Sequence, residues 1–191
     1  MILAGGQSRR MGRDKLSLEV GGLALIEHVR NALAADCQEI LVVGGETIRL
    51  EGARRVPDER AGRQGPLAGI EAGLAASKHD HVFVAAGDMP FLSPGLVGYV
   101  LERLGRGDAV AVIPRHGGRS HPLCGAYVRA LLPRVSAALD GGARAVREFL
   151  QGAVGVEYVG KELRHFGDPD LLLMNVNSPR DLERARREAG R

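Results

Sequence analysis

Tryptophan is absent from this chain and aromatic residues make up only 4% of its 191 positions. With so little surface for bases to stack on, the composition argues against a single-strand nucleic-acid binder. Cysteine is scarce as well. Cys37 and Cys124 stand far apart and form no CxxC or Cys/His ladder, so neither a disulfide framework nor a zinc site is supported. No uncharged apolar run, His81–Gly87 included, approaches the roughly 18 residues that a membrane span requires. No basic start leads into an apolar core and a small-residue cleavage site, so the expected compartment is the cytoplasm. Lysine is sparse too: only Lys15, Lys78 and Lys161 stand among the 26 basic residues, against 23 acidic ones. The resulting net charge of +3 suits a small polyanionic substrate without demanding a nucleic acid.

What remains is ordinary globular content, 45% hydrophobic and 26% charged, in a length suited to one domain spanning residues 1–191. Short apolar runs alternate with amphipathic stretches. Strands are expected at Met1–Ala4, Glu39–Val43, Val82–Ala86, Ala109–Ile113 and Leu171–Val176. Helices are expected at Leu23–Ala35, Leu67–Ser77, Pro94–Leu104, Ala126–Leu139, Ala143–Leu150 and Pro179–Glu188. Pro66, Pro94 and Pro179 fall where a first helical turn begins, and Ser178 with Asp181 reads as an N-cap. Alternating βα units predict an α/β fold with a mainly parallel sheet, whose ligands bind beyond the carboxyl ends of the strands. Met1 with three residues before Gly5 is short for a central strand, so a truncated or misassigned start is expected.

The chemistry-bearing segments gather at those predicted strand ends. Leu3-Ala4-Gly5-Gly6 lets the backbone bend sharply after the first strand and brings its N–H groups close to an anion. Arg10 and Lys15 follow at a spacing that suits charge-assisted contacts to a polyphosphate. The string is neither a Walker A loop nor a Rossmann fingerprint, because Gly12 precedes Arg13 and no GxGxxG occurs. Gly87-Asp88-Met89-Pro90 closes a buried apolar strand with a single carboxylate, enough for Mg²⁺ when substrate phosphates complete the shell. Asp58 lies on the loop entering Gly65-Pro66-Leu67-Ala68-Gly69, where it can accept hydrogen bonds from a sugar or base. Small residues at 68, 69, 72, 73 and 76 give the following helix a flat face for another backbone or a ligand. Asn175 and Asn177 flank Val176 at an expected strand end, and only one of them is expected to serve a site. His116 and His121 lack a third metal ligand nearby, and anion contact from Arg115 or Arg119 is the stronger reading there.

Together these segments resemble the molybdenum cofactor guanylyltransferases, a MobA-like nucleotidyltransferase family. LAGGQSRRMGRDK, the Asp58 loop with GPLAGIEAGL, GDMPFL, HPLCGAY and NVNSPRDL follow the family's order over nearly the whole chain. The resemblance implies a three-layer α/β sandwich with a mainly parallel, mixed sheet, like that of the nucleotide-diphospho-sugar transferases. It implies transfer of GMP from GTP to the terminal phosphate of molybdopterin or molybdenum-molybdopterin, with Mg²⁺ as cofactor and pyrophosphate released. It further implies other cofactor-biosynthesis proteins and acceptor molybdoenzymes as partners, with no nucleic acid and no membrane. Leu3, Ala4, Gly5, Gly6, Lys15, Asp58 and Asp88 match GTP-contacting positions, Asp88 the metal aspartate, and Asn177 a residue that completes the metal shell. Related cytidylyl enzymes carry LAAG where LAGG stands here, which makes Gly6 the residue tied to the base. Where some relatives have a GTP-contacting asparagine after the second strand, this chain has Val43-Gly44-Gly45.

No Ser-His-Asp or Cys-His pairing is apparent, and a phosphate monoester needs none, being an anionic nucleophile already. Arg10, Lys15 and Mg²⁺ on Asp88 are then the agents of charge neutralisation. At this level a cytidylyl or sugar-phosphate nucleotidyltransferase, or a non-catalytic GTP-binding regulator, remains open.

Overall fold

The computed structural model describes residues 1–5, 15–58, 60 and 65–190. Its frame is one mixed sheet built from β1 (Ile2–Leu3), β4 (Leu41–Val43), β5 (Arg54–Val56), β6 (His81–Ala86), β7 (Ala111–His116), β9 (Cys124–Val128) and β10 (Val156–Val159). The strand order is β10-β7-β9-β6-β1-β4-β5, and a short β8 (Arg119–Ser120) pairs with β7. A separate hairpin joins β2 (Glu19–Val20) to β3 (Leu23–Ala24). Its two-residue turn, Gly21-Gly22, holds both residues at positive φ, a demand glycine meets without strain. Strands β6, β1, β4 and β5 run parallel, whereas β9 runs antiparallel to both its neighbours.

Side chains alternate across this sheet and feed two cores. Ile2, Val42, Phe83, Ala85 and Ala126 face α1 (Leu25–Ala34) and α3 (Pro94–Arg106). Leu3, Val43, Val84 and Tyr127 face α2 (Pro66–Ala76), α4 (Leu132–Asp140) and α5 (Val146–Gln151). Helices on both faces make the expected three-layer sandwich. Two further helices, α6 (Pro169–Leu172) and α7 (Pro179–Ala189), follow β10. Pro66, Pro94 and Pro179 each open a helix, and the Ser178 hydroxyl accepts from Asp181 N–H at 3.2 Å as the N-cap.

The two-residue β1 sits at the sheet's centre, and Met1 is buried beside it. The Met1 ammonium donates to the Phe83 carbonyl at 2.5 Å, and burial lowers its pKa to about 6. The flat face of α2 is a packing device. A Cβ at Gly69 would stand 3.2 Å from Leu3 Cδ2, and one at Gly73 would overlap the Met1 side chain.

Strands β2, β5, β8 and β10 form where none was expected, β3 takes the first two residues of the helix expected over Leu23–Ala35, and two further expected elements are replaced. The helix expected over Ala126–Leu139 begins only at Leu132, because Cys124–Val128 is strand β9. Gly125 explains why this strand fits: β7 approaches so closely that a Cβ there would meet the Val112 carbonyl at 2.9 Å. The strand expected at Leu171–Val176 does not form. Asp168-Pro169 starts α6 there instead, with the Asp168 carboxylate capping Asp170 N–H at 3.0 Å. Met174 and Val176 then pack with Val20, Leu25, Leu182 and Ala185, a small cluster tying α7 to the hairpin. Among the described residues, no helix is long and apolar enough to cross a membrane.

Candidate active site

The parallel register decides what stands together at the carboxyl edge. Leu3 pairs with Val43 on one side and Ala86 on the other, and Val43 pairs with Val56. Ala4, Gly44, Pro57 and Gly87 therefore leave the sheet at one level, sealed by Ala4 N–H to Val43 O (2.9 Å), Gly44 N–H to Val56 O (3.1 Å) and Gly87 N–H to Leu3 O (3.1 Å). Among the described residues, a Cβ at Gly5 would meet nothing within 4 Å. Beside it the Gly44-Gly45 turn takes φ of 76° and 58°, and a Cβ at Gly44 would stand 3.0 Å from Gly5 N. Glycine occupies the end of β4 because a side chain has neither the backbone conformation nor the room there.

Asp88 lies two residues past β6 and is only 7% exposed. Its carbonyl accepts from Val176 N–H at 3.0 Å, which docks the irregular 173–177 segment onto it. One carboxylate oxygen accepts from Asn175 Nδ2 at 2.6 Å, and the other meets Lys15 Nζ at 2.5 Å. The same ammonium donates to Asn177 Oδ1 at 3.0 Å. Lys15 is delivered there by a 3₁₀ turn, Lys15–Ser17, whose buried Leu16 packs over Gly87. Asn177 is held in turn by the α7 cap: its N–H donates to Asp181 Oδ2 at 3.0 Å, and the Ser178 hydroxyl donates to the same oxygen at 2.8 Å. The Ser178 hydrogen bond holds the Asp181 carboxyl below its ordinary range.

The structure thus brings Lys15, Asp88 and Asn177 together and adds Asn175. Both asparagines reach the site, against the expectation that only one does: residues two apart in an extended segment share a face, so Val176 and not one of the asparagines turns away. That geometry was hidden by the apolar run before it. Leu3, Ala4 and Gly5 lie at the end of β1, adjoining β6. Asp58 stands elsewhere: it is exposed, two residues past β5, and separated from the β6 end by β1 and β4. Three interstrand steps put the ends of β5 and β6 roughly 14 Å apart. Its loop is anchored by Arg60, which grips Glu71 through two hydrogen bonds (2.5 and 2.7 Å) and Asp140 through a third (2.8 Å). Gly6 and Arg10 lie outside the described residues.

On the other side of Asp88 opens a cleft of about 450 Å³, lined in part by Met89, His121, Leu123, Arg144, Arg147 and Asn175. Cys124 also lines it, but burial pushes its thiol up to about 12, so it stays protonated and is no nucleophile. Burial, with Arg147, His116 and Arg119 nearby, pushes the His121 imidazole below its ordinary pKa.

The MobA-like NTP transferase domain model matches residues 1–156 of this chain. The chain belongs to that family. A probable molybdenum cofactor guanylyltransferase from Pelotomaculum thermopropionicum is 41% identical over 190 residues, covering 97% of this chain and 90% of the relative. The crystal structure of molybdopterin-guanine dinucleotide biosynthesis protein A from Archaeoglobus fulgidus superimposes with a TM-score of 0.84 at 27% identity, covering 99% of this chain and 97% of that one. The 2-C-methyl-D-erythritol 4-phosphate cytidylyltransferase of Thermus thermophilus shares the fold, with a TM-score of 0.73 at 24% identity and coverage of 100% and 98%. The sandwich is therefore that of the nucleotide-diphospho-sugar transferases. Within this family the matched region holds Lys15, Asp58 and Asp88, while Asn175 and Asn177 lie beyond residue 156.

Proposed function

We propose that this chain transfers GMP from GTP to the terminal phosphate of molybdopterin, with or without bound molybdenum, and releases pyrophosphate. One observation carries the reading: the Lys15 ammonium bridges the Asp88 carboxylate and the Asn177 amide oxygen close to the end of β1. A cation position formed by convergent oxygens, at the carboxyl ends of parallel strands, is the arrangement a nucleoside triphosphate needs. Membership of the family and the names of its relatives supply the guanylyl and molybdopterin part of the reading.

The donor set fits Mg²⁺. Oxygen ligands from one carboxylate and one neutral amide suit a hard cation, and the bridging ammonium marks where positive charge is already accommodated. Among the described residues no cluster of three or more His, Cys, Asp or Glu forms a protein cage, consistent with a metal completed by substrate phosphates. Asp88 and Asn177 would hold it, and when bound it supplies charge neutralisation at the phosphates.

The chain's own residues do the rest. Asn175 orients the Asp88 carboxylate by occupying one oxygen. Lys15, freed from Asp88, pairs with phosphate oxygens, joined by Arg10. Leu3, Ala4 and Gly5 at the end of β1 offer backbone to the nucleotide, Gly6 is assigned to the base, and Asp58 reaches the nucleoside end roughly 14 Å away. An oxygen of the acceptor phosphate attacks the α-phosphorus, a P–O bond forms, and the bond to the departing pyrophosphate breaks. No side-chain base is required, since the attacking monoester is already anionic. Positioning and charge stabilisation carry the rate. The test is incubation with GTP, Mg²⁺ and molybdopterin: acceptor-dependent pyrophosphate release is expected, and GTP binding without pyrophosphate release would make the chain a regulator instead.

A further inference from the structure

The cleft beyond Asp88 is built from three elements whose sequence positions give no hint that they meet. The last ladder pair of β6 and β9 is Ala85 with Cys124, extended by Ala86 N–H to Leu123 O at 2.8 Å. Counting outward from that pair, Asp88 and His121 each stand three residues beyond it, past the adjoining ends of two neighbouring antiparallel strands. His121 therefore leaves the sheet on the side of Asp88 opposite to β1 and the glycine bend. Its backbone is fixed in a tight turn, with His121 N–H on Pro114 O at 2.8 Å and Cys124 N–H on His121 O at 2.9 Å. The Tyr127 hydroxyl pins Pro122 from below at 2.7 Å.

Charge in this cleft is one-sided. Among the described residues its lining contains His121, Arg144 and Arg147 and no carboxylate. Arg144 is spent on structure, with one guanidinium nitrogen donating to the Leu139 and Ala143 carbonyls at 2.9 and 2.8 Å. Arg147 is differently placed: one nitrogen donates to Ser120 O at 3.0 Å, which steadies the fork and leaves other donors unused. Among the described residues, neither Arg147 nor the His121 ring has a carboxylate partner. Unpaired nitrogen donors in a carboxylate-free cleft call for an anion from outside. The remaining wall, including Pro122, Leu123 and Val146, is apolar and takes a flat organic body.

We propose that His121 and Arg147 receive the acceptor's phosphomonoester and aim it across Asp88 at the nucleotide, with the acceptor's ring system against the apolar wall. This rests on the guanylyl-transfer reading and deepens it by naming the residues that select a phosphorylated acceptor. Nucleotide and acceptor then approach the Asp88 carboxylate from opposite sides, one from the β1 bend and the other from the His121 turn.

The experiment separates acceptor use from nucleotide use. In the full chain, His121→Ala and Arg147→Ala are each expected to raise the KM for molybdopterin about tenfold or more. The kcat at saturating acceptor should fall as well, because the same groups aim the attacking oxygen, whereas GTP affinity without acceptor, by calorimetry, should be unchanged. Arg147→Lys should recover part of the loss. If His121→Ala fails to fold, judged by its thermal melt, His121→Gln makes the same test with the volume retained. Molybdopterin KM unmoved in both variants, or GTP affinity falling in parallel with it, overturns the proposal while leaving guanylyl transfer standing. A wild-type chain that forms no dinucleotide overturns the functional reading and this one with it.

Discussion

The two ends of the nucleotide groove are built in opposite ways. At the β6 end, Lys15, Asn175 and Asn177 gather around the buried Asp88 in a side-chain network whose every member is hydrogen-bonded to another. At the β4 and β5 ends the surface is backbone: Gly44 and Gly45 carry no side chain, and Asp58 is exposed on a loop moored through Arg60. On the proposed function, the difference follows from the work each end would do. Charge must be held rigidly where bonds change, because electrostatic stabilisation depends on groups that need no reorganisation. A base needs shape and room, which glycine backbone provides.

The largest expected effect breaks the buried end. Asp88→Ala should cut turnover by roughly 10²–10³ while the thermal melt still shows a folded protein, the loss typical of removing a transition-state charge stabiliser. Turnover close to wild type at saturating Mg²⁺ would mean the network is structural only. Next, Lys15→Ala should weaken GTP binding by about tenfold or more and guanosine binding hardly at all, since its ammonium faces phosphates. Calorimetry showing equal losses for both ligands would move Lys15 away from the phosphates.

The exposed end should respond more gently. Arg60→Ala frees the Asp58 loop from α2 and α4 and is expected to raise the GTP KM several-fold at an unchanged kcat. An equal fall in kcat would show that the two ends are mechanically coupled. The smallest effect lies at the α7 cap that holds Asn177. Asp181→Asn should cost about 0.5–1 kcal/mol, read by chemical denaturation. Because the native carboxyl is held below its ordinary range, its contribution is present at neutral pH and fades as pH falls through and below that range. The Asn variant should lose that acid dependence.

The contrast also marks what a sequence makes visible. Glycine bends, proline-started helices and an isolated Asp after a buried strand are local signals, and with the family resemblance they singled out Leu3–Gly5, Lys15, Asp58 and Asp88, of which the structure joins Lys15 to Asp88 and leaves Asp58 apart. Alternating βα units pointed to the mainly parallel α/β fold, and the resemblance implied the three-layer sandwich. Strand β9 was hidden because Cys124-Gly125-Ala126-Tyr127-Val128 runs unbroken into a helical pattern, and a short apolar run has no distinctive period. Asn175 was half seen. Its reach to Asp88 depends on where the 173–177 segment lies, which is decided by the docking of Val176 N–H on the Asp88 carbonyl, a contact between residues 88 apart in sequence. The Arg60 mooring to Asp140 is likewise a contact between residues far apart in sequence.

The most direct measurement is a competition. The full chain, given Mg²⁺, molybdopterin and equimolar GTP and CTP, should form guanine dinucleotide over cytosine dinucleotide by at least about tenfold, the discrimination expected when buried acceptors are left unpaired by the wrong base. Predominance of the cytosine dinucleotide would contradict guanylyl transfer while leaving the metal-and-phosphate end of the site intact.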